Sequence, residues 1–211
     1  MNAVVITHYK ENIDWVKNIN PDVSIYVYSK SDTRFIYYPV IQGNDTNGYL
    51  KFIIDNYNKL PDKILFLHGH RNNWHQDYDA DFICNHVNWE LDDYFSVNKR
   101  ETYQEISMIS PPHARPYNLI KNYWNEIFGN EMILPDKFTM YGSSQFVVSK
   151  SLILHHSRDF YSKCLVWVNF AKDPINPAGN NPAHIFEWTW HYILTGKNIE
   201  TQYKIDQVFN L

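Results

Sequence analysis

Two kinds of hydrophobic spacing alternate along the first third of the chain. Short apolar runs at residues 3–8 (AVVITH), 23–28 (VSIYVY) and 64–67 (ILFL) have the length and the β-branched or aromatic content of strands covered on both faces. Between them, Ile13, Val16 and Ile19 recur at helical spacing behind a possible cap at Asn12, and Tyr49, Phe52, Ile53 and Tyr57 do the same further on. Asn20-Pro21 and Leu60-Pro61-Asp62 end these two helices. Residues 35–41 (FIYYPVI) predict a short strand that Pro39 confines to an edge, and residues 43–48 (GNDTNG) predict a loop. The order is therefore β-α-β-(β)-α-β, which predicts an α/β fold. If the sheet is parallel, the strand ends after residues 7, 28 and 67 share one edge.

The second half is less regular. Residues 82–95 have the aromatics and the leucine of a possible helix, 106–109 (ISMI) predict a strand before the Pro111-Pro112 break, and 118–128 predict a helix stopped by Gly129. Residues 141–148 (YGSSQFVV) lead small polar groups into a β-like run, after which Ser149 can cap a helix. Residues 160–170 supply further core, and a Pro/Asn/Gly loop at 173–182 precedes a final helix over 183–194, stopped by Gly196. No repeat and no dividing linker interrupts the pattern, so residues 1–211 read as one domain, of a size that buries a large core without staples.

Composition narrows the function more than the fold. Nineteen Lys and Arg against twenty-three Asp and Glu give a formal charge of −4, which argues against a surface built to neutralise nucleic-acid phosphates. The amino end has neither the basic region nor the apolar length of a signal peptide, and no stretch is apolar enough for a membrane span, so a soluble, cytoplasmic protein is expected. The two cysteines, Cys84 and Cys164, have no metal-type spacing and read as buried thiols, in keeping with a reducing compartment.

Chemistry concentrates where the third apolar run ends. His68, Gly69, His70 and Arg71 follow directly, then His75, Asp77, Asp79 and Asp81, and ligands of open α/β sheets bind beyond strand carboxyl ends. The alternating aspartates form two overlapping Asp-x-Asp triplets. Alternate side chains of an extended segment point one way, so two carboxylates can converge on a hard cation such as Mg²⁺ or Mn²⁺, which would also bridge a diphosphate; a solvated acidic turn is the plainer alternative. His68 and His70 beside acids also suit a transition metal. Arg71 can grip phosphate through its planar fork. Thr7, His8 and Tyr9 stand at the first strand end, where they could hold a base or ribose, and Ser143, Ser144 and Gln145 could bond a sugar. His184, Glu187 and His191 share one face of the last helix, where Glu187 could serve as a base or a hydroxyl ligand.

The segments VVITHYKENIDWV, NGYLKFIIDNYNKLPDKILFLHGHRNNWHQ and YGSSQFVVSK resemble a family of fungal, algal and large-virus proteins. Over nearly its whole length the chain is similar to GT-A-fold glycosyltransferases, as in the amino-terminal glycosyltransferase domain of a chlorella-virus multidomain protein. The resemblance implies a GT-A fold, a nucleotide-sugar-binding α/β sandwich around a mixed sheet. It also implies Mn²⁺ or Mg²⁺, a UDP-sugar donor, a glycan acceptor, a role in viral glycan synthesis in the host cytoplasm, and room for further domains in a longer chain. By position, Thr7, His8 and Tyr9 match the uridine site, and Asp79 and Asp81, with Asp77 in reserve, match the metal motif. One departure is clear: His68-Gly69-His70 stand where that motif commonly ends the central strand. On this expectation Arg71 or Lys30 stabilises departing UDP, Ser143, Ser144 and Gln145 hold the donor sugar, Glu187 and Gln145 act at the reacting carbon, and Trp74 or Trp188 stacks on the acceptor. Two rival expectations are a His/Asp metal-dependent hydrolase built on His68 and His70, and a carbohydrate-binding module without catalysis.

Overall fold

The apolar runs form the middle of a mixed six-stranded sheet. A computed structural model of the chain describes residues 1–39, 44–109, 115–171 and 183–211, with the side chains of residues 115 and 116 left aside. The strands are β1 (Ala3–His8), β2 (Ser24–Ser29), β3 (Ile36–Tyr37), β4 (Lys63–His68), β5 (Tyr94–Ser96) and β8 (Phe146–Ser149), in the order β3-β2-β1-β4-β8-β5. β1, β2, β3 and β4 run parallel, while β8 is antiparallel to both β4 and β5. β6 (Tyr103–Ser107) and β7 (Lys137–Tyr141) form a separate antiparallel pair. The sheet margins are short, two residues in β3 and three in β5.

Alternation along each strand divides the core in two. Val5, Ile64, Phe66, Phe146 and Val148 point into one apolar layer, whereas Val4, Ile6, Leu65, Leu67 and Val147 point into the other. The first layer is covered by α1 (Thr46–Asn56), α3 (Arg115–Phe128), α5 (Arg158–Phe170) and α6 (His184–Thr195). A 3₁₀ turn over Asp14–Asn18, α2 (Ala80–His86) and the carboxyl-terminal α7 (Ile205–Val208) cover the second. The four-residue α4 (Lys150–Ile153) begins at Ser149, whose hydroxyl accepts the Leu152 amide. Tyr49, Phe66, Phe146 and Trp190 form a run of touching rings at the centre of the first layer, and each buried aromatic of this kind is worth about 1.5–3 kcal/mol.

Several boundaries differ from the sequence pattern. The helix expected behind Asn12 is a single 3₁₀ turn that buries Trp15. The helix expected over 82–95 stops at His86, and Tyr94–Ser96 instead pairs with β8. Gly48, expected in a loop, lies inside α1. The run expected over 141–148 splits into β7 and β8, joined through Ser143 and Ser144 at φ of 71° and 43°. The end of the predicted 35–41 strand, the start of the 43–48 loop, the Pro111-Pro112 break and the 173–182 loop lie outside the described residues.

Candidate functional site

The carboxyl ends of β1, β2 and β4 meet at one edge, and the polar residues that close those strands meet there too. Thr7 pairs in register with Tyr28 on one side and His68 on the other, and His8 lies beside Ser29. Above them stands the amino end of α1, which approaches so closely that a Cβ on Gly48 would lie 2.3 Å from Cγ2 of Thr7. Only glycine permits that approach, and it brings Asp45, the residue before α1, onto the strand ends.

Asp45 is the hub of this edge. Its Oδ1 accepts the hydroxyl of Thr7, and its Oδ2 lies 3.4 Å from Nε2 of His68. Lys30, just past β2, donates to the carbonyl of Asn44 at 2.8 Å and to Oδ1 of Asn47 at 3.4 Å. Burial pushes the lysine pKa down, and the charges of Asp45 and Glu11 pull it partly back. Glu187, in the first turn of α6, accepts a 2.7 Å hydrogen bond from Asn44 and lies 3.5 Å from Nε2 of His184. The phenol of Tyr49 is fully enclosed beneath these groups. Its pKa is pushed up, first by burial and then by the negative charges of Asp45 and Glu187.

The His-Gly-His sequence presents two imidazoles to two different carboxylates. His68 faces Asp45, while His70 lies 3.6 Å from Oε1 of Glu11. Gly69 between them is a close-packing position, since a Cβ there would stand 2.9 Å from the Thr7 carbonyl and 3.1 Å from Oε2 of Glu11. The two histidines therefore do not share a ligand point. Behind them, Gln145 accepts the His68 amide at 3.2 Å and donates to Oδ1 of Asn98 at 3.1 Å. Oδ1 of Asn98 also stands 3.1 Å from Nδ1 of His75, and the Asn98 amide reaches the Gly142 carbonyl at 2.6 Å. His75 is enclosed, and burial together with the neighbouring His68 brings its pKa down to about 4, leaving a neutral ring.

The aspartates form a second cluster. Asp79 and Asp81 do converge, but on Arg71. The guanidinium lies 3.3 Å from Asp79 and 3.2 Å from Asp81, which also accepts 3.0 Å from Asn18. Burial alone would raise the Asp81 pKa, yet the Arg71 and Asn18 hydrogen bonds outweigh it and hold the carboxyl below its usual range. Asp77 is exposed, and its charge acts on Arg100. Lys10, Glu11, Asn12, His70, Arg71 and Asn72 line a shallow depression beside the clamp.

The sequence-predicted residues thus divide. Thr7, Lys30, His68 and Glu187 gather around Asp45, with Gln145 directly behind as a support. His8 is buried on the other side of the edge, held by Ser29 at 2.8 Å and by the Glu11 carbonyl at 3.0 Å. Tyr9 turns outward under Lys10, Trp74 is 72% exposed, and Trp188 stacks on His184. Ser144 is enclosed, and its hydroxyl makes no hydrogen bond among the described residues, whereas Ser143 is partly exposed. Asp45 and Glu11 were not anticipated. Both lie in polar stretches without periodicity, and their one signal is position, just before a helix and just after a strand.

Residues 3–206 match the model of a family described as protein of unknown function DUF3431. The chain belongs to this family. No curated protein and no solved structure gives a match. Membership extends over nearly the whole described fold, so the Asp45 edge and the Arg71 clamp both fall inside the family's span.

The resemblance implies a divalent cation, with Asp79 and Asp81 as its expected donors. Asp79 and Asp81 are arranged around a guanidinium. Among the described residues, no group of three or more His, Cys, Asp or Glu side chains is placed to hold a metal ion. With Arg71 between them, these acids as they stand do not fit the ion.

Proposed function

We propose that this chain is a glycosyltransferase of GT-A type that takes a sugar from a UDP-sugar and passes it to a glycan acceptor. The observation that carries the reading is the convergence of Thr7, Lys30, Asp45, His68 and Glu187 at the carboxyl ends of three neighbouring parallel strands. That is where nucleotides bind in open α/β sheets. Departing UDP needs positive charge at its diphosphate, which the Lys30 ammonium beside the edge can provide; Arg71 adds a guanidinium once it releases Asp79 and Asp81. The donor sugar presents hydroxyls, for which Asp45 and Glu187 offer carboxylate acceptors. Glu187 is the base in an inverting reaction, taking the proton of the acceptor hydroxyl as that oxygen attacks the anomeric carbon and the bond to UDP breaks. The exposed ring of Trp74 supplies a stacking face for an acceptor sugar.

Thermal unfolding with UDP, GDP or CMP, each with and without Mn²⁺, tests this reading. UDP at about one hundred times its dissociation constant should add roughly 2.7 kcal/mol of stability. The gain should fall in Lys30→Ala and in Asp45→Asn, while GDP and CMP give less. Absence of any UDP-dependent shift, with Mn²⁺ and without it, removes the proposal.

A further inference from the structure

A second concave surface lies at the opposite end of the sheet. A cleft of about 380 Å³ opens beside Asp93 and Tyr94 at the amino end of β5 and beside Leu152 in α4, which follows the carboxyl end of the antiparallel β8. This volume falls within the roughly 300–1,000 Å³ of small-ligand sites. Its outer wall is the segment from Lys197 to Tyr203, and that wall is built rather than draped. Asn198 Oδ1 accepts the Thr139 amide at 2.9 Å, and the Ile199 carbonyl accepts the Thr139 hydroxyl at 3.0 Å. The Tyr203 hydroxyl donates to Asp92 at 2.5 Å, while its carbonyl accepts from Arg100 at 3.2 Å.

Charge and geometry restrict what fits. Asp92, Asp93 and Glu200 against Lys197 make the lining acidic, which disfavours phosphates and nucleotides. The acids are not grouped for a metal, since no cluster of three or more suitable ligands occurs among the described residues. The carboxylates want donors, whereas the Lys197 ammonium wants an acceptor. Tyr94, Tyr203, Leu152 and Ile199 add apolar surface between them. His191 lies in the lining, is 3% exposed, and its Nε2 takes no hydrogen bond among the described residues. Burial lowers its pKa to about 3, so the ring is neutral, with one nitrogen a donor and the other an acceptor. A ligand carrying donor and acceptor in every polar group, with apolar faces between, satisfies this lining better than an ion of either sign.

We propose that the cleft binds a saccharide, a neutral pyranose unit of a glycan, at a site separate from the Asp45 edge. The proposal does not depend on the transfer reaction. The test is NMR of the His191 and Tyr203 ring resonances while methyl glycosides of the common neutral pyranoses, and separately n-butylammonium, are added to the full chain. At least one glycoside should move both rings, with no nucleotide present. Its affinity should weaken about tenfold in Glu200→Gln or Asp93→Asn, the loss of one charge-assisted hydrogen bond. Both positions are exposed, so these variants keep the fold. The proposal is overturned if no glycoside moves the rings, if only butylammonium does, or if glycoside binding is indifferent to both substitutions. Failure here leaves the UDP-dependent shift at the other edge untouched.

Discussion

Replacing Gly48 with alanine tests the close approach that delivers Asp45 to the strand ends. Inside a helix alanine is better than glycine by about 1 kcal/mol, so propensity alone predicts a gain. Packing predicts the reverse, because the added Cβ would lie 2.3 Å from Thr7 Cγ2, far inside contact distance. Thr7 cannot swing away freely, since its hydroxyl is bound to Asp45 and its side chain is enclosed. Overpacking of this kind costs about 1–3 kcal/mol, and disturbing a hydrogen bond to a carboxylate adds about 1.5–3 kcal/mol if that bond breaks. Gly48→Ala should therefore destabilise the protein by about 1–3 kcal/mol net. Thr7→Ser removes Cγ2, keeps the hydroxyl, and costs about 0.8 kcal/mol for the lost methyl. In that background the nearest contacts become 3.3 Å to the residue-7 Cβ and 3.4 Å to the Tyr28 Cβ, and the alanine should be neutral or stabilising. Urea unfolding of the four proteins, at unchanged m, reads the cycle, with an expected coupling of about 2 kcal/mol. A stabilising Gly48→Ala in the native background, or additive effects across the cycle, would refute the reasoning.

Two further predictions concern buried titratable groups. His75 has a folded pKa of about 4, below its unfolded value, so the folded state binds fewer protons between the two; stability should be whole above about pH 6.5 and decline as the pH falls towards 4. His75→Gln should flatten that decline in urea midpoints measured against pH, and an unchanged slope would contradict the buried neutral ring. Cys84 and Cys164 are enclosed, with burial raising both thiol pKa values. Neither should react with a thiol reagent in the folded protein and both should react in urea; rapid labelling of the native chain would place at least one elsewhere.

The strands that organise the site were legible because they are buried on both faces, and uninterrupted apolar runs mark them. β1 occupies the run at 3–8, and β4 closes at His68 as the run at 64–67 suggests. The long amphipathic helices were equally clear, Gly129 and Gly196 ending α3 and α6 in left-handed conformations. What escaped depends on contacts between distant segments. Gly48 reads locally as a turn residue, yet it serves a helix that must touch Thr7. Three residues at Tyr94–Ser96 carry too little pattern to reveal a strand that β8 recruits. The aspartate alternation suggested a shared cation for Asp79 and Asp81, whereas the folded chain sets the Arg71 guanidinium between them. Asp45 and Glu11 escaped for the same reason, since a carboxylate in a polar loop becomes distinctive only through the groups folded against it.

The stubby margins of the main sheet bear on how this chain behaves in a crowd. β3 offers two residues before Pro39 and β5 offers three, too few amide rungs for a neighbouring molecule to zip onto. The long apolar ladders of β1 and β4 are sealed between other strands. Strand addition at β3 or β5 would therefore have to recruit chains that have already opened, which ties resistance to clumping at these two strands to global stability rather than to surface polarity.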